Sequence, residues 1–413
     1  MKILWVKSGG FLPLDTGGKI RSYNLLRELA RRHEVSVFTF YPQHQDDRHS
    51  ELEEFCSDVI LQPLALPSRA SLTDMIAYGM NMFRPVPYSM VKYCRPEVGV
   101  RLRQLLAAHN YDAIICDFLL TAAVIPWDYP APKILFTHNV EAVIWERHWR
   151  VGRNPLWKMI SWREYKTMAR VERMYLRKAD HILTVSDLDR DVFSRVINAQ
   201  KITTIPTGVD IDYFIPNGDS SAIEENNLVF TGSMDWLPNE DAIVFFAEKI
   251  LPIIQKQLPA VKLWVVGRKP TQKVLALAEG NPAIEVTGAV PDIRPYMKSA
   301  AVYVVPLRIG GGTRIKIFEA MSAGKAVVST SIGAEGLPVT NGEDIFLADQ
   351  PDDFAAAVVR LVSDTRKRNR ISRAARELVQ SRYSWSGVTD VLETVLVNAV
   401  EQNQPGVLKP VGV

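Results

Sequence analysis

The sequence lacks several features that would mark particular classes of protein. Only three cysteines occur in 413 residues, Cys56, Cys94 and Cys116, and they are widely spaced. This argues against a disulfide framework and predicts reduced thiols in a cytoplasmic protein. No spacing of histidine, cysteine and acidic residues is typical of metal ligands, so we predict no metal site.

Long apolar runs and an excess of one charge are also missing. No apolar stretch reaches the roughly 18 residues that a spanning helix needs, and residues 1–7 form a strand pattern rather than a signal peptide, so we expect no integral membrane protein. Lysine and arginine number 49 against 46 aspartates and glutamates, a formal charge of +3. This balance gives no general attraction to nucleic acid, and any basic surface must be local.

An alternation of apolar strands and helical patterns is what the chain has instead. Strand patterns occur at 3–8, 34–40, 59–61, 113–116, 133–137, 181–185 and 202–205, and they restart at 228–233 and 261–267. The length suits two cores rather than one. We therefore predict an α/β protein of two Rossmann-like, doubly wound domains, at 1–208 and 227–384, with a linker at 209–226, a terminal helix at 385–402 and a tail at 403–413.

A glycine loop follows the first strand. Gly17 and Gly18 precede helical spacing from Ile20 to Arg32. Because ligands of doubly wound sheets lie at the carboxyl ends of the strands, these glycines are predicted to face a cleft. The GxGxxG fingerprint is absent, which excludes a dinucleotide-dependent dehydrogenase.

The most informative stretch runs from Arg308 to Met321, after a buried strand pattern. Gly311 and Gly312 belong to a run of three glycines that lets the backbone approach a ligand closely. Thr313 can cap the following helix, whose free N–H groups then point into the turn. The stretch therefore predicts an anion-binding turn.

Charged residues follow this turn. Arg314 and Lys316 fall in the first helical turn, where the helix dipole disfavours cations by roughly 0.3–1 kcal/mol each, and a bound diphosphate would compensate. Glu319 shares a helix face with Lys316 and can accept hydrogen bonds from hydroxyl groups. Phosphate and hydroxyl groups together indicate a nucleotide. The alternative is an ordinary surface ion pair between Lys316 and Glu319.

The segment from Val305 to Val328 resembles the donor-site signature of family 4 retaining glycosyltransferases. The resemblance extends over nearly the whole chain and is strongest between about Pro306 and Leu337. It implies the GT-B fold, with two facing Rossmann-like domains and a C-terminal helix, 385–402, that crosses back to the first domain. It also implies transfer of a sugar from a nucleoside diphosphate sugar to a hydroxyl acceptor with retention of anomeric configuration, with that donor as co-substrate and no cofactor.

The chain departs from the family pattern in two places. The family often has two glutamates with seven residues between them; Glu319 matches the second, which holds the ribose, but Gly311 replaces the first, which touches the donor sugar. The loop 234–240 lacks the basic pair that commonly grips the diphosphate. Arg268, Arg314 and Lys316 are then the best candidates for that contact.

The resemblance assigns two further positions. His138 would contact the donor sugar or steady the acceptor, although a lone histidine after a strand is usually structural. The backbone of Val290 would read the base. Asp117 lies at the same predicted sheet edge as His138, and structural capping is its preferred interpretation. We predict His138, Arg268, Lys316 and Glu319 as catalytic, and Gly17, Gly18, Arg268, Val290, Gly311, Gly312, Thr313, Arg314, Lys316 and Glu319 as donor-binding.

Residues 145–178 hold ten lysines or arginines against three glutamates, with four interleaved tryptophans, at 145, 149, 157 and 162. This stretch could lie on an anionic membrane or bind a lipid-linked acceptor, which would make the protein peripheral at the inner membrane face. It could equally be a long amphipathic helix packed on the sheet through Tyr165, Met168, Val171 and Tyr175. The apolar segment 75–85 could line an acceptor pocket or fill core.

The predicted function is therefore a glycosyltransferase of polysaccharide or glycolipid synthesis that uses a nucleotide-sugar donor and a glycan or lipid-linked acceptor. Two alternatives stay open. An epimerase or phosphorylase of the same architecture would share the fold. A non-catalytic subunit that binds nucleotide sugar or lipid would account for Gly311 and for the missing basic pair.

Overall fold

The computed structural model describes residues 1–14, 16–43, 48–67, 71–151, 154–216, 224–309 and 315–403. The chain folds into two compact units. The first contains Met1–Pro206 and, from Val388 onward, the C-terminal helix, and the second contains Thr207–Gly387. Each unit has its own apolar core.

A seven-stranded parallel sheet forms the centre of the first unit, in the order β3-β2-β1-β4-β5-β6-β7. Its strands are β1 (Lys2–Ser8), β2 (Glu34–Pro42), β3 (Asp58–Leu64), β4 (Ala113–Asp117), β5 (Lys133–Phe136), β6 (His181–Thr184) and β7 (Ile202–Thr204). The central strands are buried along almost their whole length, as expected for a parallel sheet with helices on both faces.

The helices of the first unit are α1 (Gly17–Ala30), α2 (Leu72–Asn81), α3 (Tyr88–Tyr93), α4 (Pro96–Ala108), α5 (Glu141–Val151), α6 (Pro155–Lys178) and α7 (Asp187–Ser194). The side chain of Thr16 caps α1, so Gly17 and Gly18 form the first turn of this helix. The prediction that they belong to a loop before a helix at Ile20 was wrong, because the threonine cap starts the helix three residues earlier.

A six-stranded parallel sheet forms the centre of the second unit, in the order β10-β9-β8-β11-β12-β13. Its strands are β8 (Glu224–Thr231), β9 (Lys262–Val266), β10 (Ile284–Gly288), β11 (Ala300–Val305), β12 (Ala326–Ser329) and β13 (Phe346–Leu347). The helices are α8 (Leu237–Phe245), α9 (Leu251–Gln257), α10 (Gln272–Gly280), α11 (Arg294–Ser299), α12 (Ile315–Ser322), α13 (Pro351–Ser363) and α14 (Thr365–Arg382). A π-helical turn, Phe246–Ile250, joins α8 to α9.

The last helix, α15 (Trp385–Asn403), is joined to the first unit by charged side chains. Arg32 donates to Asp390 at 2.6 Å and to Glu393 at 2.7 Å, and His33 bonds Glu393 at 2.8 Å. These contacts anchor α15 beside the end of α1.

Strand order reverses once in each sheet, between β1 and β4 in the first unit and between β8 and β11 in the second. At such switch points the flanking loops diverge and leave a crevice beyond the carboxyl ends of the strands. The prediction of two Rossmann-like α/β domains is confirmed. The ligand-binding side of each sheet is thereby defined.

The basic region 145–178 divides between α5 and α6 rather than forming one helix. Met168 and Val171 are buried in the core of the first unit, and Tyr165 and Tyr175 pack against it. The packing interpretation of this face is therefore confirmed.

The tryptophans of the region differ in exposure. Trp149 stacks on Tyr165 with ring centroids 6.1 Å apart, whereas Trp157 and Trp162 are nearly half exposed. In the described residues, no helix combines the length and the apolar character needed to cross a membrane.

Candidate active site

Two glycines bring the carboxyl ends of β8 and β9 together in the second unit. A Cβ on Gly267 would lie 1.7 Å from the carbonyl oxygen of Gly232, so only glycine permits this approach. A Cβ on Gly232 would lie 2.6 Å from Asn239 Nδ2 and 2.9 Å from Lys316 Nζ. The space above Gly232 is thus occupied by an amide and an ammonium group.

Two uncharged groups contact Lys316 at this point. Its Nζ donates to Asn239 Oδ1 at 2.8 Å and lies 4.2 Å from the centre of the Phe230 ring. Asn239 is buried and donates in turn from Nδ2 to the carbonyl oxygen of Ser233 at 2.9 Å. An amide and an aromatic face can orient an ammonium group, and neither of them carries a charge of its own.

Arg268 reaches the loop that lacks cations of its own. Its Nε donates to Ser233 Oγ at 2.9 Å, and its carbonyl oxygen accepts from Met234 N at 3.0 Å. Ser233 Oγ donates to Asp235 at 2.6 Å. The fold therefore brings Arg268 to the start of loop 234–240, and its contact with a diphosphate stays a prediction.

Glu319 lies on α12 one turn beyond Lys316 and is largely withdrawn from water. Burial raises the pKa of Glu319 to about 7, and nearby Lys316 opposes this shift. Among the described residues, no side chain or backbone donor is within hydrogen-bond distance of its carboxylate. The hydroxyl of Tyr303 bonds Thr231 Oγ1, and burial and the nearby Glu319 raise its pKa. A surface ion pair does not describe Glu319, because surface carboxylates stay solvated.

Other predicted donor residues are placed less directly. Gly311, Gly312, Thr313 and Arg314 lie outside the described residues, so their predicted roles remain predictions. Val290 follows β10 and packs against the core of the second unit.

A buried charged network occupies the switch point of the first unit. Asp117 ends β4, and its carboxylate accepts from Trp5 Nε1 at 2.9 Å and lies 3.2 Å from Lys7 Nζ. It also bonds His138 Nε2 at 2.7 Å. Burial by itself would raise the pKa of Asp117, but Lys7 and His138 outweigh it and hold this pKa well below the usual range. The capping interpretation of Asp117 was wrong, because its partners are side chains rather than helix amides.

His138 is neutral in this network. Burial, with the cations Lys7 and Arg21, lowers the pKa of His138 to about 4 despite the nearby Asp117. Its Nε2–H therefore donates to Asp117, and Nδ1 accepts from Arg21 at 3.3 Å. The ring stacks on Phe118 with centroids 4.0 Å apart. Both nitrogens thus have partners within the first unit, which fixes the tautomer and the ring orientation.

Gly18 is required by this network. A Cβ on Gly18 would lie 2.8 Å from Phe118 Cζ and 3.6 Å from His138 Nδ1. Ser22 Oγ donates to the carbonyl oxygen of Gly18 and accepts from Lys7 Nζ at 3.0 Å. The first turn of α1 is therefore packed directly against the histidine, which brings the predicted Gly18 and His138 together.

Several residues at these two places were not predicted from sequence. They are Lys7 and Arg21 in the first unit and Gly232, Asn239 and Gly267 in the second. Lys7 directly follows the apolar run 3–6 in β1, and each glycine directly follows a strand, so the sequence contained signals for these three residues. Nothing local marks Asn239, which the turn from β8 into α8 brings to Lys316.

The second unit thus supplies two cations and a protonatable carboxylate at the carboxyl ends of its strands. Cations there can bind a diphosphate, and the carboxylate can accept from sugar hydroxyls. Two protein-family models match the chain. A model described as "Glycosyltransferase Family 4" matches residues 16–213, and one described as "Glycosyl transferases group 1" matches residues 225–364.

Similar proteins are found at low to moderate identity. A 44.6 kDa protein in the cps region of Klebsiella pneumoniae is 21% identical over 396 residues, which are 92% of this chain and 96% of that protein. A phosphatidyl-myo-inositol mannosyltransferase of Mycolicibacterium smegmatis is 31% identical over 225 residues, 52% of this chain and 57% of the relative. The crystal structure of Anabaena HepE in complex with UDP matches with a TM-score of 0.65 at 16% identity, covering 96% of this chain and 100% of that one.

The fold is the GT-B fold of glycosyltransferases, with one Rossmann-like sheet in each unit. The chain belongs to the family 4 glycosyltransferases, because the two family models together match most of both units. The family resemblance seen in the sequence is thereby confirmed.

Proposed function

We propose that this glycosyltransferase moves a sugar from a nucleoside diphosphate sugar to a hydroxyl acceptor and retains the anomeric configuration. The observation that carries the proposal is the position of Lys316, held over Gly232 by Asn239 and one helical turn before the partly buried Glu319. Negative charge develops on the diphosphate when it leaves the sugar, and Lys316 and Arg268 supply the preorganised positive charge that stabilises it. The crystal structure of HepE in complex with UDP, which shares this fold, supports a nucleotide donor.

Roles follow for the predicted residues. Glu319 accepts hydrogen bonds from the ribose, and Gly311, Gly312, Thr313 and Arg314 contact the diphosphate. His138 steadies the donor sugar or the acceptor, in an orientation set by Asp117 and Arg21. The leaving phosphate helps to deprotonate the acceptor, as the family resemblance implies.

The acceptor is proposed to be a glycan or a lipid-linked molecule in polysaccharide or glycolipid synthesis. Similarity to a protein of a cps region and to a phosphatidyl-myo-inositol mannosyltransferase supports this class. The basic region 145–178 favours an anionic acceptor and peripheral contact with the inner face of the membrane.

No resident cofactor is proposed, because the cations of the second unit supply the charge that the leaving group needs. Transfer should then persist in EDTA. Loss of activity in EDTA that added Mg²⁺ or Mn²⁺ restores would contradict this part of the proposal.

The test is a thermal-shift panel of UDP, GDP, ADP and dTDP with the wild type, Lys316→Ala and Glu319→Ala. Lys273→Ala and Glu279→Ala are matched controls, because both residues lie exposed on α10 of the same unit. One nucleotide at ~100 times its dissociation constant should stabilise the wild type and both controls by about 2.7 kcal/mol. Both site variants should lose most of this shift.

The selected nucleotide then identifies donors for a turnover assay. Sugar transfer that requires an acceptor supports the proposal, and analysis of the product linkage tests retention. Conversion of the nucleotide sugar without acceptor would identify an epimerase, dependence on free phosphate a phosphorylase, and binding without turnover a non-catalytic subunit. An absence of shift with every nucleotide would contradict the donor site itself.

A further inference from the structure

An apolar surface of the first unit is exposed on α2 and on the turn that follows it. Leu72, Ile76 and Met80 recur at intervals of four residues and so lie on one side of the helix. Leu72 is 73% exposed, Met80 is 69% exposed, and Phe83, just beyond the helix, is 93% exposed. The alternative that segment 75–85 fills core was wrong for Ile76, Met80 and Phe83.

The opposite side of α2 is fixed to the protein. Tyr78 donates to Glu164 at 3.3 Å, and Asp74 accepts from Tyr88 at 2.6 Å and from Lys92 at 2.7 Å. Asn81 is buried. Asp74 and Tyr78 each lie two positions from an apolar residue, and side chains with that spacing point to nearly opposite sides of a helix. Their anchoring to the protein therefore directs the apolar side of α2 outward.

The first turns of α6 extend this surface. Arg163 donates to the carbonyl oxygens of Arg84 and Val86, in the turn that carries Phe83. Met159 and Leu156 precede Arg163 by four and seven residues, so they lie on the same side of α6, and both are exposed. We call Leu72, Ile76, Met80, Phe83, Leu156 and Met159 the α2–α6 apolar face.

The charges around this face have one sign. The segments 71–86 and 154–166 are described throughout, and their acidic residues are Asp74 and Glu164. Both are withdrawn from water and ion-paired, with Lys92 and Arg163 respectively. The basic side chains of Arg84, Lys158 and Lys166 are exposed. An approaching partner therefore meets apolar side chains bordered by positive charge.

We propose that the α2–α6 apolar face docks onto the surface of an anionic lipid bilayer. Anionic headgroups attract the basic border, while Phe83 and the aliphatic and thioether side chains enter the boundary of the acyl chains. A second copy of the chain would present the same positive border and be repelled. The inference does not rest on the nucleotide site, and it places membrane contact on α2 and the start of α6 rather than on Trp149, which is stacked on Tyr165.

The test is flotation of the full chain with vesicles of phosphatidylcholine mixed with phosphatidylglycerol, and with phosphatidylcholine alone. The variant Met80→Ser/Phe83→Ser removes two of the most exposed members of the face. Val100→Ser/Leu188→Ser is its matched control, because these residues are also exposed and apolar, and lie on α4 and α7 of the same unit.

We expect the wild type and the control to float with anionic vesicles only, and the Met80/Phe83 variant to lose about tenfold in partitioning. Lys158→Glu should weaken binding most at low salt. Equal loss in both double variants, or no flotation of the wild type, would overturn the proposal.

A dimer seen by light scattering without vesicles, and abolished by Met80→Ser/Phe83→Ser, would assign the face to a second copy instead. The nucleotide-induced thermal shift should be the same in both double variants. Failure of the docking proposal is therefore distinguishable from failure of the donor site.

Discussion

Glu319 shows how burial alone can make a carboxyl group sensitive to pH near neutrality. Its pKa is about 7 in the folded chain against an ordinary 4.5. The folded state therefore keeps a proton between these values that the unfolded state loses, so the free energy of unfolding falls as pH rises from about 4.5 to 7. Above pH 7 the folded state carries the full free-energy cost of ionising Glu319, which is about 1–3 kcal/mol after allowing for partial exposure.

Glu319→Gln should remove this dependence. We expect the variant to be more stable than the wild type at pH 8 and to lose this advantage at pH 5, as measured by urea denaturation at both values. Nucleotide affinity of the wild type should fall below pH 7, because the ribose hydroxyls need the ionised acceptor, and the variant should bind weakly at every pH. A wild-type affinity independent of pH between 5 and 8 would contradict the role of Glu319.

Asp117 is the residue on which the buried network of the first unit depends. Asp117→Asn leaves the buried Lys7 without its carboxylate partner and removes the negative charge near the buried Arg21, so we expect about 3–5 kcal/mol of destabilisation in chemical denaturation. Asp128→Asn is the control, since that carboxylate is 73% exposed and pairs with Arg103 at the surface. Equal stability of the two variants would show that the network is not stabilising.

At the scale of elements, the start of α8 positions the start of α12. Asn239 on α8 accepts a hydrogen bond from the ammonium group of Lys316 through a neutral oxygen, so this contact adds no negative charge. Asn239→Asp has almost the same shape but places a carboxylate on that ammonium group. We expect affinity for the nucleoside diphosphate to fall about tenfold, or about 1.4 kcal/mol.

Asn239→Asp should leave the affinity for the nucleoside unaltered, because the nucleoside has no phosphate. Calorimetry of both ligands separates this effect from a general loss of structure. Asn369→Asp, exposed on α14 of the same unit, is the control for added charge. If nucleoside and nucleoside diphosphate weakened equally, Asn239 would act through the fold rather than through Lys316.

At the scale of the whole molecule, the two units have separate cores and separate charged networks. A nucleotide bound at the proposed site should slow hydrogen exchange at 232–240, 267–268 and 315–322 in the second unit. The strand end 113–117 of the first unit should change little in the same mass-spectrometric experiment. Protection confined to the first unit would require the donor site to be reassigned.

The sequence by itself determined the class of fold and the closeness of two residues of the proposed donor site. Runs such as 300–305 are apolar on both faces, which only a parallel sheet covered by helices can bury, and periodicity therefore predicted the strands. Lys316 and Glu319 are close because both lie on one helix, so spacing along the chain already defined their relation.

The tertiary structure decided what depends on residues far apart in the chain. Asn239 contacts Lys316 across 77 positions, and Lys7 reaches Asp117 only because β1 and β4 are neighbours in the sheet. The exposure of Phe83 could not be predicted from the sequence either, because an apolar segment has the same sequence pattern in a core and on a surface. Strand order sets these contacts, because parallel strands that are joined by long crossovers can be neighbours in the sheet and bring distant parts of the chain together.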